Sequence, residues 1–457
     1  MNPGAKTSLL QRFSYAASDT AGQLVFCVIS FYLLKFYTDV YGLSAEAAGM
    51  VLLVARCVDA VDAPVWGIIF DKTRSRWGKS RPWFLWLCGP FAAFGVLTFL
   101  TPDFSYRAKV FYAAATYIIC SVLYTGINTP VTSILSALTS DPRERVTLTC
   151  FRMFGSKLGV LFVNLTALQL VQFFGQGDDR RGFLMVMPLY AGGSVLLYLL
   201  AFWQLREMKE VVAEECRPLP VAQSLRAIRG NWPWLIIFVS SLFFWIGFIA
   251  RVSAAPYFFE YCLHRKDLTG PANSLDFLSL GTAFALPFLC QRTSKRNVWL
   301  LGLLGMVAGQ VVMFLGIQNG LSVPWIMAGW ALGFLMSGMA MALPFSVLSD
   351  SVDYGEWKTG IRAAGFLTAI GAAFCLKAGS GLGGALPAWI LQVYGYVPQA
   401  PQTPESLRGI ELACVGLPAV FFALAAVPVW FYEKFERLEP QIHLELSRRR
   451  QKMATDH

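Results

Sequence analysis

Charge is what this sequence has least of. Only 14% of its 457 residues are Asp, Glu, Lys or Arg, 56% are hydrophobic, and the mean hydropathy is +0.52. Soluble domains are about a quarter charged, so most of this chain belongs in lipid. Histidine is scarce as well: His264, His443 and His457 all fall outside the apolar segments. That argues against a histidine proton relay or a buried histidine metal site. The ten cysteines contain no CxxC pair and sit mostly in apolar runs, so they read as reduced small hydrophobes. GxSxG, Walker A and HExxH patterns are missing, and no glycine-rich loop follows a strand. Neither an enzyme nor an ATP-driven pump finds its chemistry here, and no cofactor is implied. No small-residue cleavage site follows Met1 to Phe13, so the first apolar helix is expected to be retained.

What is present is a series of long apolar runs. A spanning helix needs roughly 20 mainly apolar residues, because its backbone must satisfy its own hydrogen bonds in hydrocarbon. Such stretches lie near 14–37, 45–70, 82–100, 108–138, 148–173, 182–205, 233–263, 270–290, 298–316, 322–347, 363–394 and 409–432. The expected fold class is an all-α membrane protein with 12 transmembrane helices in two six-helix bundles. The bundles are 1–205 and 233–432, with a linker at 206–232 and a tail at 433–457.

Basic residues crowd alternate loops: Lys72 to Arg81, Arg206 to Arg229, and Arg448 to Lys452. The loops 38–45 and 317–322 have no Lys or Arg. By the positive-inside rule both termini and the linker face the cytoplasm of a multi-pass inner-membrane protein. The net charge of +10 therefore reports topology, not a nucleic-acid partner. Similarly placed basic loops at 71–82 and 291–297 give a loose echo between the halves.

An ionisable side chain in mid-membrane costs roughly 3 kcal/mol or more unless paired or hydrated. The run ARCVDAVDAPVWG holds Arg56, Asp59 and Asp62 on about one helical face, where Arg56 can pair with Asp59. Two carboxylates one turn apart are candidate ligands for a hard cation or a proton. The competing reading is a salt-bridged cluster that only holds helices together. Asp19 and Gln23 share a face of the first span. Tyr124, Thr125 and Asn128 precede Pro130 in the fourth, suiting either ligand hydroxyls or interhelical hydrogen bonds. Deep basic residues are Arg152, Lys157, Arg251 and Lys377. A Lys377 that exchanges partners with Asp59 or Asp62 would link cation occupancy to the arrangement of the halves. Lys35 and Glu260, near span ends, are expected at the interface.

The stretch VARCVDAVDAPVWGIIFDKTRSRWGKSRPW strongly resembles the second span and following loop of the glycoside–pentoside–hexuronide:cation symporters. This is the major-facilitator branch that includes the melibiose and glucuronide carriers. FYTDVYGLS, LYTGINTPVTSI, DPRER, SDSVDYGEWKTGIRAAG and LKAGSGLGGALPAWI extend the match over nearly the whole chain. The xyloside-type carriers look nearest.

The resemblance implies the major facilitator fold, a midplane sugar site and alternating access. It implies cation-site positions at Asp59 and Thr125. It also implies sugar-site positions at or beside Gln23, Tyr124, Asn128 and Arg152, with Lys377 between the groups. Two departures matter. Ala63 stands where the melibiose carrier has its second cation-site carboxylate, and Asp62 precedes it. Gln23 and Asn128 replace the two carboxylates that grip a galactoside there, which points to a different glycoside. Asp71, Arg143, Arg145, Asp350, Asp353, Glu356 and Arg362 are expected gate residues.

The function expected is symport of a glycoside or pentoside with a monovalent cation, H⁺ or Na⁺, in a lipid bilayer. The substrate-site set is Asp19, Gln23, Tyr124, Asn128, Arg152 and Lys377. The coupling set is Asp59, Asp62 and Thr125, with Na⁺ at Asp59 and Asp62 the only metal considered. A hexuronide symporter and an uncoupled facilitator are the alternatives.

Overall fold

The computed structural model describes residues 7–73, 75–78, 80–139, 142–205, 230–360, 367, 371 and 374–455. Among these residues all regular structure is helical, and eight helices are long and apolar enough to cross a membrane. Most of the expected linker, from 206 to 229, lies outside the described residues.

The chain folds into two compact units. The first comprises Met1–Glu214, Val252–Ser274 and Gly384–Ile410. Its helices begin with α1 (Leu9–Lys35), α2 (Ala45–Lys72) and α3 (Arg81–Leu97), followed by α4 (Tyr106–Leu138), α5 (Pro142–Gly175) and α6 (Asp179–Gln204). Local chemistry sets where they start. Ser8 accepts from the Gln11 amide while Gln11 Oε1 accepts from the Ser8 amide, a reciprocal cap on α1. Ser44 caps α2 through the Ala47 amide. α1 packs on α5 and α6, and α4 on α2 and α3.

The second unit comprises Glu215–Arg251, Leu275–Gly383 and Glu411–His457. It holds most of α7 (Trp232–Tyr257). The short α8 (Thr269–Ser274) belongs to the first unit, and α9 (Ser279–Arg292), α10 (Lys295–Gln318) and α11 (Val323–Thr359) to the second. α12 (Cys375–Val393) contributes to both units, and α13 (Pro404–Glu411) almost wholly to the first. α14 (Leu417–Trp430) and the tail helix α15 (Glu433–Thr455) complete the second. Its core is a continuous cluster that includes Trp234, Phe244, Trp299, Leu343, Phe422 and Tyr432.

Expected span ends differ in one place that matters. Helical structure at the end of α1 continues past Lys35 through a π-helical turn, Phe36–Val40. Lys35 is consequently buried, 7% exposed, 2.8 Å from Asp39 and ion-paired with Glu260. Lys35, expected at the interface, is thus buried near the span end, whereas Glu260 stays part-exposed, at 27% of its side chain. The segment that carries Glu260 packs over this helix end.

Small residues decide how closely α10 and α11 approach. A Cβ on Gly309 would stand 2.7 Å from the Gly329 carbonyl oxygen and 2.9 Å from the Gly333 nitrogen, both main-chain atoms that cannot yield. Gly192 on α6 has open space around it. Gly309→Val should therefore destabilise the protein by about 1–3 kcal/mol and lower its Tm by several degrees. Gly192→Val should leave Tm unchanged. Thermal unfolding of both variants in detergent checks this, and equal Tm values would contradict it.

Candidate functional site

Asp59 stands midway along α2 and is 2% exposed. Its Oδ2 accepts hydrogen bonds from Arg56 Nη1 at 2.9 Å and from Ser121 Oγ on α4 at 2.8 Å. The Arg56 guanidinium lies 5.6 Å from the Phe26 ring centroid and 5.9 Å from that of Tyr117. Asp62 is buried one turn further along α2. Thr125 donates to the Ser121 carbonyl at 3.3 Å within its own helix. Ser121, one turn earlier on the same face, makes the hydroxyl contact to Asp59. Sequence reasoning passed over Ser121, although the i, i+4 relation to Thr125 is a signal that finds it.

A second polar group joins α1 to α5. Arg152 Nε is 3.4 Å from Asp19 Oδ1, and Gln23 Nε2 donates to Ser156 Oγ at 3.1 Å. Between the two groups sits an aromatic stack. Phe26 and Tyr124 lie almost parallel at 7°, with centroids 4.3 Å apart, and Phe91 tilts against Tyr124 at 5.9 Å. Glycine makes the close fit possible: a Cβ on Gly22 would meet the Tyr198 hydroxyl at 2.9 Å and the Tyr124 ring at 3.1 Å.

The structure thus assembles Asp19, Gln23, Tyr124 and Arg152, and links them through Phe26 to Arg56 and Asp59. Asn128 lies one turn beyond Tyr124 on α4, half-buried. Lys377 lies on α12 in the second unit. The Arg56–Asp59 and Asp19–Arg152 pairs each bring one positive and one negative group together. Arg251, in the second unit, is wholly buried. It donates to the Trp330 carbonyl at 2.8 Å and stacks on the Trp330 and Phe334 rings at 4.3 and 4.8 Å.

Of the expected gate residues, Asp71 lies in the last turn of α2, and Arg143 and Arg145 in the first turn of α5. Asp350 on α11 accepts from Lys295 at 2.6 Å, and Lys295 also reaches Glu439 of the tail helix at 2.7 Å. Asp353 and Glu356 follow on α11, half-buried, and Arg362 lies outside the described residues. In the first unit, the DPRER segment supplies Glu144, which pairs with Arg12 at 3.0 Å.

Residues 14–433 match the family described as MFS/sugar transport protein. The chain belongs to that family. It is accordingly a multi-pass membrane transporter and not an enzyme. It is similar to the isoprimeverose transporter of Lactiplantibacillus pentosus, at 40% identity over 96% of this chain and 91% of that one. It is also similar to a putative glycoside/cation symporter of Escherichia coli, at 33% identity over 91% of this chain and 90% of that one. The fold is shared with the xylose transporter XylE from E. coli in its inward open conformation. There the TM-score is 0.65 at 13% identity, over 92% of this chain and 96% of that one.

In this MFS chain the Arg56–Asp59 pair is buried deeply enough that losing one charge costs more than losing both. Arg56→Met and Asp59→Asn should each destabilise the fold by about 3 kcal/mol, whereas the double variant should cost clearly less than their sum. A double-mutant cycle of unfolding free energies measures this. Strict additivity would contradict it.

Proposed function

We propose that the protein carries a neutral glycoside inward with one monovalent cation by alternating access. The carrying observation is Arg56, which holds the Asp59 carboxylate on one side and lies over the Phe26–Tyr124 stack on the other. A cation taken up at Asp59 competes with Arg56 for the same oxygens. The displaced guanidinium then shifts the aromatic wall on which a sugar face rests. Sugar and cation thereby favour each other's binding, which is the thermodynamic requirement for coupling.

Gln23, Asn128, Tyr124 and the Asp19–Arg152 pair supply hydroxyl partners, and Lys377 of the second unit belongs to the proposed substrate set by its place in the sequence. Asp62 and Thr125 complete the coupling site. The names of the similar proteins, an isoprimeverose transporter and a glycoside/cation symporter, support this substrate class. Gln23 and Asn128, neutral amides in the proposed substrate set, favour an uncharged glycoside over a hexuronide. A proton is the preferred cation. It needs one carboxylate oxygen, whereas Na⁺ needs a cage of several, and Ala63 removes one candidate ligand.

The orientation proposed has both termini in the cytoplasm of an inner membrane, from the placement of basic loops. Asp71, Arg143, Arg145, Asp350, Asp353 and Glu356 then lie toward the cytoplasmic ends of their helices, where charge pairs can form and break during the cycle, and Arg362, outside the described residues, is proposed with them from the sequence alone.

Labelled xyloside uptake into right-side-out vesicles under imposed pH or Na⁺ gradients tests the reading. Wild type should accumulate substrate against its gradient when the pH gradient is present. Asp59→Asn should lose accumulation by tenfold or more while still equilibrating the sugar. Equal accumulation in the variant would remove Asp59 from the coupling site.

A further inference from the structure

Alternating access, as proposed above, requires a barrier on the side away from the termini, and the sequence reading named none. We propose that Asp39 is the centre of a buried lock that seals this outer side of the first unit and breaks at each outward opening.

The lock is built from two matching helix ends. The first helix of each sequence half finishes in a five-residue π turn, Phe36–Val40 after α1 and Phe258–Cys262 after α7. Main-chain bonds repeat in both. The Tyr41 amide donates to the Phe36 carbonyl at 2.9 Å, and the Leu263 amide to the Phe258 carbonyl at 3.2 Å. The Leu43 amide donates to the Tyr37 carbonyl at 2.9 Å, and the Arg265 amide to the Phe259 carbonyl at 2.8 Å. Single π turns inside helices are rare and gather at functional positions. Here they bring Asp39 from one helix end against Glu260 and Tyr261 from the other.

Asp39 is 8% exposed and accepts four side-chain hydrogen bonds. Oδ2 accepts from Lys35 at 2.8 Å and Tyr261 at 2.8 Å; Oδ1 accepts from Thr38 at 2.7 Å and Tyr396 at 2.7 Å. Lys35 also pairs with Glu260 and lies over the Tyr257 and Tyr261 rings. Gln399, held at a φ of 55°, donates to the Asp39 main-chain carbonyl. Burial, then the neighbouring Asp39 carboxylate, holds the Tyr396 hydroxyl well above its ordinary range, so it stays a donor. The donors to Asp39 thus come from three separate stretches of chain: 35–38, 261 and 396.

Two further features mark this as a face that opens and not a permanent seal. Surface cavities of about 640 and 780 Å³ flank the cluster, sharing Val40 and Gln399 as their common wall. One is also lined by Glu260 and the other by Asp39 and Tyr396, so the cluster borders open space on two sides.

In the same unit, the backbone of Gly270 on α8 packs against the Asn164 carbonyl of α5. Asn164, Thr269 and Asn273 there are buried, with side-chain polar atoms that have no hydrogen-bond partner among the described residues. Buried polar groups with no protein partner cost roughly 1–3 kcal/mol each wherever water does not reach them. Water reaches and satisfies them once α8 lifts from α5. Asn164 is thus a polar, buried reporter whose access to outside water depends on the Asp39 cluster staying closed.

The test is site-directed labelling of Asn164→Cys, with the native cysteines replaced by serine. A membrane-impermeant maleimide is added outside right-side-out vesicles. In the otherwise unchanged protein labelling should be slow. Asp39→Asn should speed it about tenfold or more, and Tyr396→Phe, which deletes one hydroxyl, several-fold. Should Asp39→Asn fail to reach the membrane, Tyr396→Phe alone decides. Labelling rates unchanged by these substitutions would overturn the lock. Failure of cation coupling would alter uptake but not this rate, so the two proposals fail separately.

Discussion

A charge inside hydrocarbon has to be answered by another charge, by hydrogen bonds or by water, and this protein is organised by that requirement. Along α1, α2, α4 and α5 the answers are local pairs. Arg56 and Ser121 meet Asp59, Arg152 meets Asp19, and Lys35 meets Asp39 and Glu260. Each pair is stable enough to fold around and polar enough to be exchanged for something else. A salt bridge in a low-dielectric interior is also a switch, because a competing cation at the carboxylate changes the preferred place of the arginine or lysine. The proposed coupling site and outer lock use the same device at different depths.

Aromatic packing turns these separate pairs into a connected unit. Phe26 touches both sides: it stacks on Tyr124 and lies beneath Arg56. Because Gly22 lets the Tyr124 ring lie close against α1, a sub-ångström shift of the guanidinium has few ways to be absorbed except by moving the stack. Proposed cation and sugar subsites a few side chains apart thus share one mechanical element.

The spans and the family were legible in the sequence because both are local properties, one of composition and the other of contiguous motifs. The i, i+3 spacing of Arg56 and Asp59 is likewise enough to foresee their ion pair. Ser121 was harder, since the resemblance drew attention to Thr125 and no local rule ranks one hydroxyl above the other. Asp39 was beyond reach. It sits in the quoted FYTDVYGLS motif, but Tyr261 and Tyr396 are 222 and 357 positions away. Lys35 looked like a residue at a helix end because hydropathy does not register a π turn that carries the helix onward. The loose echo between the halves gained a structural counterpart in those same turns, whose hydrogen bonds repeat although FYTDV and FFEYC share only their first residue.

Coupling itself is tested most directly by charge movement. Purified protein in proteoliposomes adsorbed on a solid support would be given a xyloside concentration jump at constant pH and without Na⁺. Symport with a proton predicts positive charge displaced in the direction of sugar entry, with a sustained component at low external pH. Sugar that enters and equilibrates with no displaced charge at any pH or Na⁺ concentration would contradict cation coupling.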